Sequence, residues 1–154
     1  NSDTIYNAMI TGAVSIVKIG TGKLSLTNAS NKTFGGFTVS NGTLAVSTPG
    51  TLGPNSTNIV VGGTGTLQLA TTPSAVADLA TIKMPSAGTA TAKINLAAGT
   101  DESVGWLFYG EKMQRAGTHG SSSSGATYKD DTHFSGTGVL RVLHDNSGTL
   151  FSLR

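Results

Sequence analysis

The chain contains 154 residues, which fits a single domain built around one hydrophobic core. Charged residues make up only 12% of it, about half the usual share, whereas Gly (21), Thr (23) and Ser (17) are abundant. This composition excludes a highly charged disordered chain and argues against a helical bundle, because Gly and Thr favour turns and strands.

The charges are few and scattered. The formal net charge is +2, and Lys and Arg occur singly, so no basic face for nucleic acid is predicted. Cysteine is absent, which excludes disulfides and thiolate metal ligands. No apolar run reaches the length of a membrane-spanning helix. Because the sequence begins at Asn1 and not at Met, we expect a processed or excised chain.

A short phrase, Gly-x-Leu followed by an apolar residue two positions later, recurs along the chain. It occupies residues 22–26, 42–46 and 65–69, with a late echo at 138–142. The shared leucines, Leu24, Leu44 and Leu67, are separated by 20 and then 23 residues. Each phrase alternates apolar with polar side chains, which is typical of a half-buried strand.

Other short strands are predicted between these phrases, and turns rich in Gly, Asn and Pro separate them. They cover residues 14–17, 37–39, 58–61, 81–84 and 93–96. Strands this closely spaced suit the rungs of a parallel β-solenoid, since a rung buries its inward side chains only by stacking on its neighbours. An antiparallel β-sandwich is the alternative fold, because Asn41-Gly42 is by itself a good hairpin signal.

Two segments have a less regular pattern. Residues 73–84 contain Ser74, a potential cap for a short helix, or form a loop that leads into the 81–84 strand. Residues 62–65, Gly-Gly-Thr-Gly, resemble a phosphate-binding loop only in glycine content. They are interpreted as a corner of a rung that needs a positive φ.

The last third of the sequence differs from the rest. Only 7 of the 18 charged residues lie in the first 100 positions, and none lies between Thr33 and Ala77. The single Trp and a Gly/Ser run at 117–125 also follow. We therefore predict solenoid rungs over residues 1–100 and a C-terminal capping unit with a terminal strand over residues 101–154, within a single domain.

Several motifs of residues 17–44 occur in a fixed order. They are a lysine-containing Gly-x-Gly-x-Leu-x-Leu, an Asn-centred turn, Phe34-Gly35-Gly36, a Thr-Val strand and Gly42-Thr43-Leu44. In this order the segment resembles the autotransporter-associated β-strand repeat, and residues 134–142 look like the closing strand of secreted bacterial proteins that carry it. Asn41 and Phe37 depart from the pattern. The resemblance implies a right-handed β-helix, exported to the cell surface or medium, with a structural or adhesive role and no catalytic residues.

The titratable residues give weak signals for chemistry. Asp130, Asp131 and His133 are the densest group of potential ligands, but too few for a metal site, and a solvated loop is the favoured interpretation. Asp101 and Glu102 are adjacent, so on a strand they point to opposite faces, which does not suit glycoside hydrolysis, and a polar turn is predicted. We expect no enzyme, no cofactor and no metal.

The function predicted first is structural. A solenoid has open ends, and the low charge leaves edges free to pair, so we expect an extracellular protein that joins copies of itself end to end or by strand addition, as a filament or surface layer. The predicted subunit contacts are Ile5, Tyr6, Met9, Ile10, Leu150, Phe151 and Leu153.

The alternative function is adhesion to a cell-surface polysaccharide. Its predicted contacts are the aromatic residues Trp106, Tyr109 and Tyr128. Trp106 and Phe108 share one face of a strand, and packing in the core of the terminal unit is favoured for them over a binding platform.

Overall fold

The computed structural model describes residues 2–33, 35–70 and 75–147. In these ranges the chain forms eighteen β-strands and no helix. The strands are β1 (Thr4–Tyr6), β2 (Thr11–Gly12), β3 (Ile16–Lys18), β4 (Lys23–Leu26), β5 (Lys32–Thr33), β6 (Gly36–Val39), β7 (Thr43–Ser47), β8 (Asn58–Val61), β9 (Thr66–Ala70), β10 (Thr81–Met84), β11 (Lys93–Leu96), β12 (Asp101–Val104), β13 (Trp106–Tyr109), β14 (Lys112–Met113), β15 (Gly117–Gly120), β16 (Tyr128–Lys129), β17 (Phe134–Gly136) and β18 (Val139–Val142).

Two six-stranded sheets form the long sides of the molecule. The first has the order β1-β4-β7-β9-β11-β17, and all of its pairs are parallel. The second has the order β3-β6-β8-β10-β13-β14, and only its last pair is antiparallel. Neighbouring strands lie one turn of the chain apart, so the fold is a parallel β-solenoid. The prediction of an all-β solenoid is confirmed, and the antiparallel sandwich is wrong.

The register stacks equivalent apolar residues from turn to turn. One column contains Leu24, Leu44, Leu67, Ile94 and Phe134, and the other contains Ile16, Phe37, Ile59, Ile82 and Leu107. All are at most 1% exposed except Leu24 and Ile16, which belong to the first turns and are only partly buried. The spacing of the phrase leucines is therefore the length of one turn, and those leucines form the core.

Most predicted strands agree with the structure to within a residue or two, but three local predictions need comment. Asn41-Gly42 forms no hairpin. It is the corner between β6 and β7, where Gly42 has a φ of +64° and a Cβ would lie 2.4 Å from the Gly20 carbonyl oxygen. Gly63 likewise has a φ of +56° at the predicted glycine corner. Residues 75–80 form no helix and lead as a loop into β10.

Along part of the third side of the solenoid, side-chain hydrogen bonds take the place of a strand ladder between turns. In the described residues this side carries the two-stranded sheet β2-β5 at one end and β12 with β18 at the other. Directly before β5, Asn31 accepts a hydrogen bond from the Ile10 N–H and donates to the Thr51 carbonyl of the next turn, both at 2.8 Å. The Thr33 hydroxyl donates to the Leu52 carbonyl at 2.6 Å. These polar side chains satisfy backbone groups that a strand ladder would otherwise pair.

The two ends of the solenoid differ. At the N-terminal end β1 and β3 are the outermost strands of their sheets and pair on one side only. At the other end β14 folds back antiparallel on β13, and β15 pairs antiparallel with β18 and parallel with β16. The Ser121 hydroxyl donates to the Gly136 carbonyl of β17 at 2.6 Å. We call β14 to β17 with the turn at 121–125 the closed end.

Candidate functional site

The N-terminal end presents apolar side chains to solvent. Here the N-terminal edge means β1 and β3 with the exposed side chains Ile5 (73% exposed), Tyr6 (43%), Met9 (54%), Val17 (57%) and Ile19 (72%). Three of the predicted contact residues therefore lie exposed on this edge. Ile10 is only partly buried and packs against the core. The remaining predicted contacts, Leu150, Phe151 and Leu153, lie outside the described residues.

A buried lysine closes the core beneath this edge. Lys18 aligns with Val39 in the register and is 8% exposed. Its ammonium donates to the carbonyl oxygens of Ile19, Gly20 and Asn41 at 2.9, 2.7 and 3.2 Å. These carbonyls supply the partners that a buried charge requires. The lysine thereby ties the corner after β3 to the corner of the next turn, which holds the N-terminal edge in place.

A cleft of about 520 Å³ lies beside the hairpin β13–β14 and the strands β15 and β16. We call it the cap cleft. Its lining includes Tyr109, Lys112, Arg115, Tyr128, Lys129 and Asp130. Two of the three aromatic residues predicted to contact a glycan, Tyr109 and Tyr128, thus line one cleft, together with three cationic side chains.

The third predicted aromatic residue lies elsewhere. Trp106 and Phe108 do share a face of β13, but this face is the outer one, and between them Leu107 is fully buried. The prediction that they pack in the core is therefore wrong, because the register directs Leu107 onto the Ile82 column. The Trp106 ring instead lies 4.9 Å from the ring of His144.

Each of the three histidines packs on an aromatic ring. These contacts were not predicted, because the two partners of each pair are separated in the sequence. Besides the Trp106 pair, the His133 and Tyr109 rings stack at 3.8 Å with an angle of 11°, and the His119 and Tyr128 rings lie 4.8 Å apart. His119 is 4% exposed, and burial lowers the pKa of its ring despite the hydrogen bond to the Arg115 carbonyl. The His133–Tyr109 pair therefore joins the closed end to β13, and the His119–Tyr128 pair joins β15 to β16 within the closed end.

His133 links the closed end to the body of the solenoid. Its Nδ1 lies 2.7 Å from Asp130 Oδ2, and its Nε2 lies 3.0 Å from the Pro85 carbonyl oxygen. The ring is 3% exposed, so the prediction of a solvated loop is wrong for this residue. The imidazole ring therefore bridges the Asp130 carboxylate and the Pro85 carbonyl. We call His133, Asp130 and Pro85 the cap latch.

The charge of Asp130 affects its neighbours. Burial acts to raise the pKa of the Asp130 carboxyl, but the hydrogen bonds from His133 and from the Thr132 N–H outweigh it, so this pKa lies below its usual value. Burial, with the negative charge of Asp130 adding to it, raises the pKa of Tyr109. The Tyr109 hydroxyl is buried and has no hydrogen-bond partner in the described part of the chain.

The adjacent acids Asp101 and Glu102 have opposite environments. They begin β12 and do not form the predicted turn, although they do point to opposite faces as expected. Asp101 is exposed and pairs with Arg141 at 2.9 Å. Glu102 is fully buried, and its two carboxylate oxygens accept hydrogen bonds from the Val76 and Ala75 N–H groups at 2.8 and 3.1 Å. Glu102 therefore acts as a structural clamp on the loop before β10.

No group of three or more potential metal ligands occurs within residues 2–33, 35–70 and 75–147. The described chain also has no helix long and apolar enough to cross a membrane. Comparison with known proteins adds no relatives: no family model matches the chain, and no curated protein or solved structure matches it. The resemblance of residues 17–44 to the autotransporter-associated repeat therefore stays a prediction.

Proposed function

We propose that this chain is a non-enzymatic structural protein of the extracellular surface that associates with copies of itself through the N-terminal edge. The observation that carries the proposal is the concentration of exposed apolar side chains on β1, β3 and their flanks. Unpaired strand edges with apolar side chains are templates for another strand. The extracellular location rests on the resemblance of residues 17–44 to a repeat of secreted proteins.

Association is expected to depend on Ile5 and Val17. Wild-type protein should exceed the mass of a monomer as its concentration rises in size-exclusion chromatography with light scattering. The double variant Ile5→Lys/Val17→Lys should bind a second copy at least about a hundredfold more weakly, because it replaces two apolar side chains of the proposed contact with charged ones. Circular dichroism would verify that the fold is unchanged.

A matched control is available in the middle of the solenoid. Leu79 is 59% exposed but lies in the loop before β10, away from both ends. Leu79→Lys should associate as the wild type does. A wild-type chain that stays monomeric at every concentration would contradict the proposed function, and so would equal effects of the edge and control variants.

A second candidate function is binding of an anionic polysaccharide in the cap cleft. The specific observation is the presence of Tyr109 and Tyr128 in a cleft that also presents Lys112, Arg115 and Lys129. Aromatic rings suit the apolar faces of sugars, and the cations suit carboxylate groups. The one carboxylate in the lining, Asp130, is already engaged by His133.

An oligogalacturonate is the probe that tests this candidate. Isothermal calorimetry should detect its binding, whereas a neutral oligosaccharide of equal length should bind more weakly. Lys112→Ala/Arg115→Ala should reduce the affinity at least about tenfold, since each charge-assisted hydrogen bond contributes about 1.5–3 kcal/mol. Lys83→Ala, which removes an exposed lysine from β10, should leave the affinity unchanged. Equal affinity for the neutral sugar would count against this function.

A further inference from the structure

The cap cleft continues into a second cleft. This second cleft has a volume of about 470 Å³, and residues 145–147, which follow β18, form part of its lining. We call it the Asp145 cleft. Four residues line both clefts, namely Met113, Gln114, Arg115 and Tyr128. The two clefts therefore form one groove, with Arg115 and Tyr128 at the place where its halves meet.

The two halves of the groove differ in charge. The cap cleft has three cationic side chains, those of Lys112, Arg115 and Lys129, and one carboxylate, that of Asp130. The Asp145 cleft has one cation, Arg115, and one carboxylate, Asp145, and its other lining residues are uncharged. A negatively charged group is therefore attracted to one half of the groove and not to the other.

The carboxylate of Asp145 is fixed in position by three hydrogen bonds. Its Oδ2 accepts from the Ala116 N–H at 2.9 Å, and its Oδ1 accepts from the Ser147 N–H at 2.8 Å and from the Ser147 hydroxyl. The hydrogen bonds from Ser147 and Ala116, with a smaller contribution from the charge of Arg115, lower the pKa of Asp145 to about 2. Asp145 is therefore ionised at neutral pH, and it cannot move away from an anionic ligand without losing these bonds.

The segment that both halves of the groove share is also held in place. The Gln114 N–H donates to the Leu107 carbonyl at 2.8 Å, and the Arg115 carbonyl oxygen lies 2.8 Å from His119 Nε2. The Arg115 side chain is exposed and takes part in neither of the two ion pairs of the described chain. Its guanidinium is therefore accessible to a ligand, and it stands on a backbone that needs no further ordering when a ligand binds.

We propose that this groove binds a polysaccharide in which acidic and neutral sugars alternate, with the acidic sugar in the cap cleft and its neutral neighbour in the Asp145 cleft. This inference rests on the second candidate function, binding of an anionic polysaccharide, and narrows the class of ligand. A polymer of uronic acids alone would place a carboxylate in the half of the groove that holds Asp145, and like charges at a contact are unfavourable. The hydroxyl or acetamido groups of a neutral sugar instead suit the amide groups of Gln114 and Asn146.

Two probes of equal length separate this specificity from simple attraction between charges. A hyaluronan octasaccharide alternates glucuronate with N-acetylglucosamine, so it has half as many carboxylates as an octagalacturonate. Isothermal calorimetry would be performed at about 0.15 M salt, where exposed charges more than about 8 Å apart are largely screened. Hyaluronan should bind at least about fivefold more tightly, because only its sugars match both halves of the groove. Attraction by charge alone would give the opposite order.

Asn146→Lys tests the part played by the Asp145 cleft. Asn146 is exposed in this cleft, and lysine there adds a cation next to Asp145 without replacing any donor to its carboxylate. The variant should bind octagalacturonate at least about threefold more tightly than the wild type, which reduces the preference for hyaluronan. A gain in binding cannot result from a damaged fold. Asn58→Lys is the matched control, because it adds the same charge at an exposed position of β8, outside the groove, and it should leave the preference unchanged.

The outcomes distinguish this inference from the function on which it rests. Octagalacturonate that binds as tightly as hyaluronan, or more tightly, would overturn the inference while the second candidate function stood. Equal effects of Asn146→Lys and Asn58→Lys on the preference would also overturn it, since the Asp145 cleft would then have no part in recognition. If neither polysaccharide binds, the second candidate function itself fails, and the inference fails with it.

Discussion

Replacing Glu102 by alanine is expected to cause the largest loss of stability of any single substitution considered, about 3–5 kcal/mol in the free energy of unfolding. The carboxylate is fully buried and accepts hydrogen bonds from the N–H groups of Ala75 and Val76, which are themselves 1% and 2% exposed. Alanine would leave both amides without this acceptor and open a cavity. Such a loss is a large part of the 5–15 kcal/mol that typically holds a domain folded.

The neighbouring residue provides a matched control for this prediction. Asp101 lies on the same strand, but its carboxylate is about half exposed and pairs with Arg141 on the surface. Asp101→Ala should change the stability by no more than about 1 kcal/mol. Glu102→Gln should fall between the two, because the amide keeps one acceptor oxygen. Urea unfolding followed by circular dichroism measures all three, and equal effects of Glu102→Ala and Asp101→Ala would refute the role of the clamp.

The second large effect is expected at the cap latch. His133→Ala should lower the free energy of unfolding by about 2–4 kcal/mol, because it removes a buried ring, its stacking on Tyr109 and its bonds to Asp130 and Pro85. His144→Ala provides the control, since that ring also packs on an aromatic residue but is exposed. It should cost less than about 1 kcal/mol.

The latch also predicts a dependence of stability on pH. The pKa of Asp130 is lower in the folded chain than its ordinary value, so ionised Asp130 favours folding. This contribution is fully present above the pKa of an unfolded aspartate, about 3.9, and is lost as the pH falls through the lower folded value. Wild-type stability should therefore fall below about pH 4, and Asp130→Asn should flatten this fall while it weakens the fold at neutral pH.

Unfolding measured at several pH values between about pH 3 and pH 7 tests this dependence. Asp131→Asn is the comparison, because Asp131 is adjacent and fully exposed, and its pKa is lowered mainly by the Ser122 N–H. Asp131→Asn should leave most of the loss of stability at low pH that is due to Asp130 unchanged. If the free energy of unfolding of Asp130→Asn fell as steeply with decreasing pH as that of the wild type, the assigned role of Asp130 would be contradicted.

Local patterns predicted the turns of the solenoid well, because each turn must bury its apolar side chains and form its corners in the same way. Leu44 and Leu67 must face inward, and the glycine two positions before each belongs to a corner where the chains of adjacent turns approach closely. At Gly65 a Cβ would lie 2.2 Å from the Val39 carbonyl oxygen. Alternation and glycine placement are local properties, so they can be read without knowing what lies next to them.

Contacts between distant parts of the chain could not be predicted in the same way. Pro85 and His133 are separated by 48 positions, and Val76 and Glu102 by 26, with no pattern that links them. Aromatic residues at 106 and 108 alternate as a buried pair would, yet the register of β13 against β10 places Leu107 inside. The sequence contained no signal for that choice, because alternation defines two faces without saying which one is inward.

The sequence by itself determined the all-β class, the length of the turns, the glycine corners and the division into a weakly charged body and a charged, aromatic terminal unit. These follow from period, composition and turn chemistry, which act over a few residues. Only the tertiary structure decided that neighbouring strands are parallel and that Glu102 and His133 are buried as clamps. These depend on which strands become neighbours, and that choice is made by packing energies summed over residues far apart in the chain.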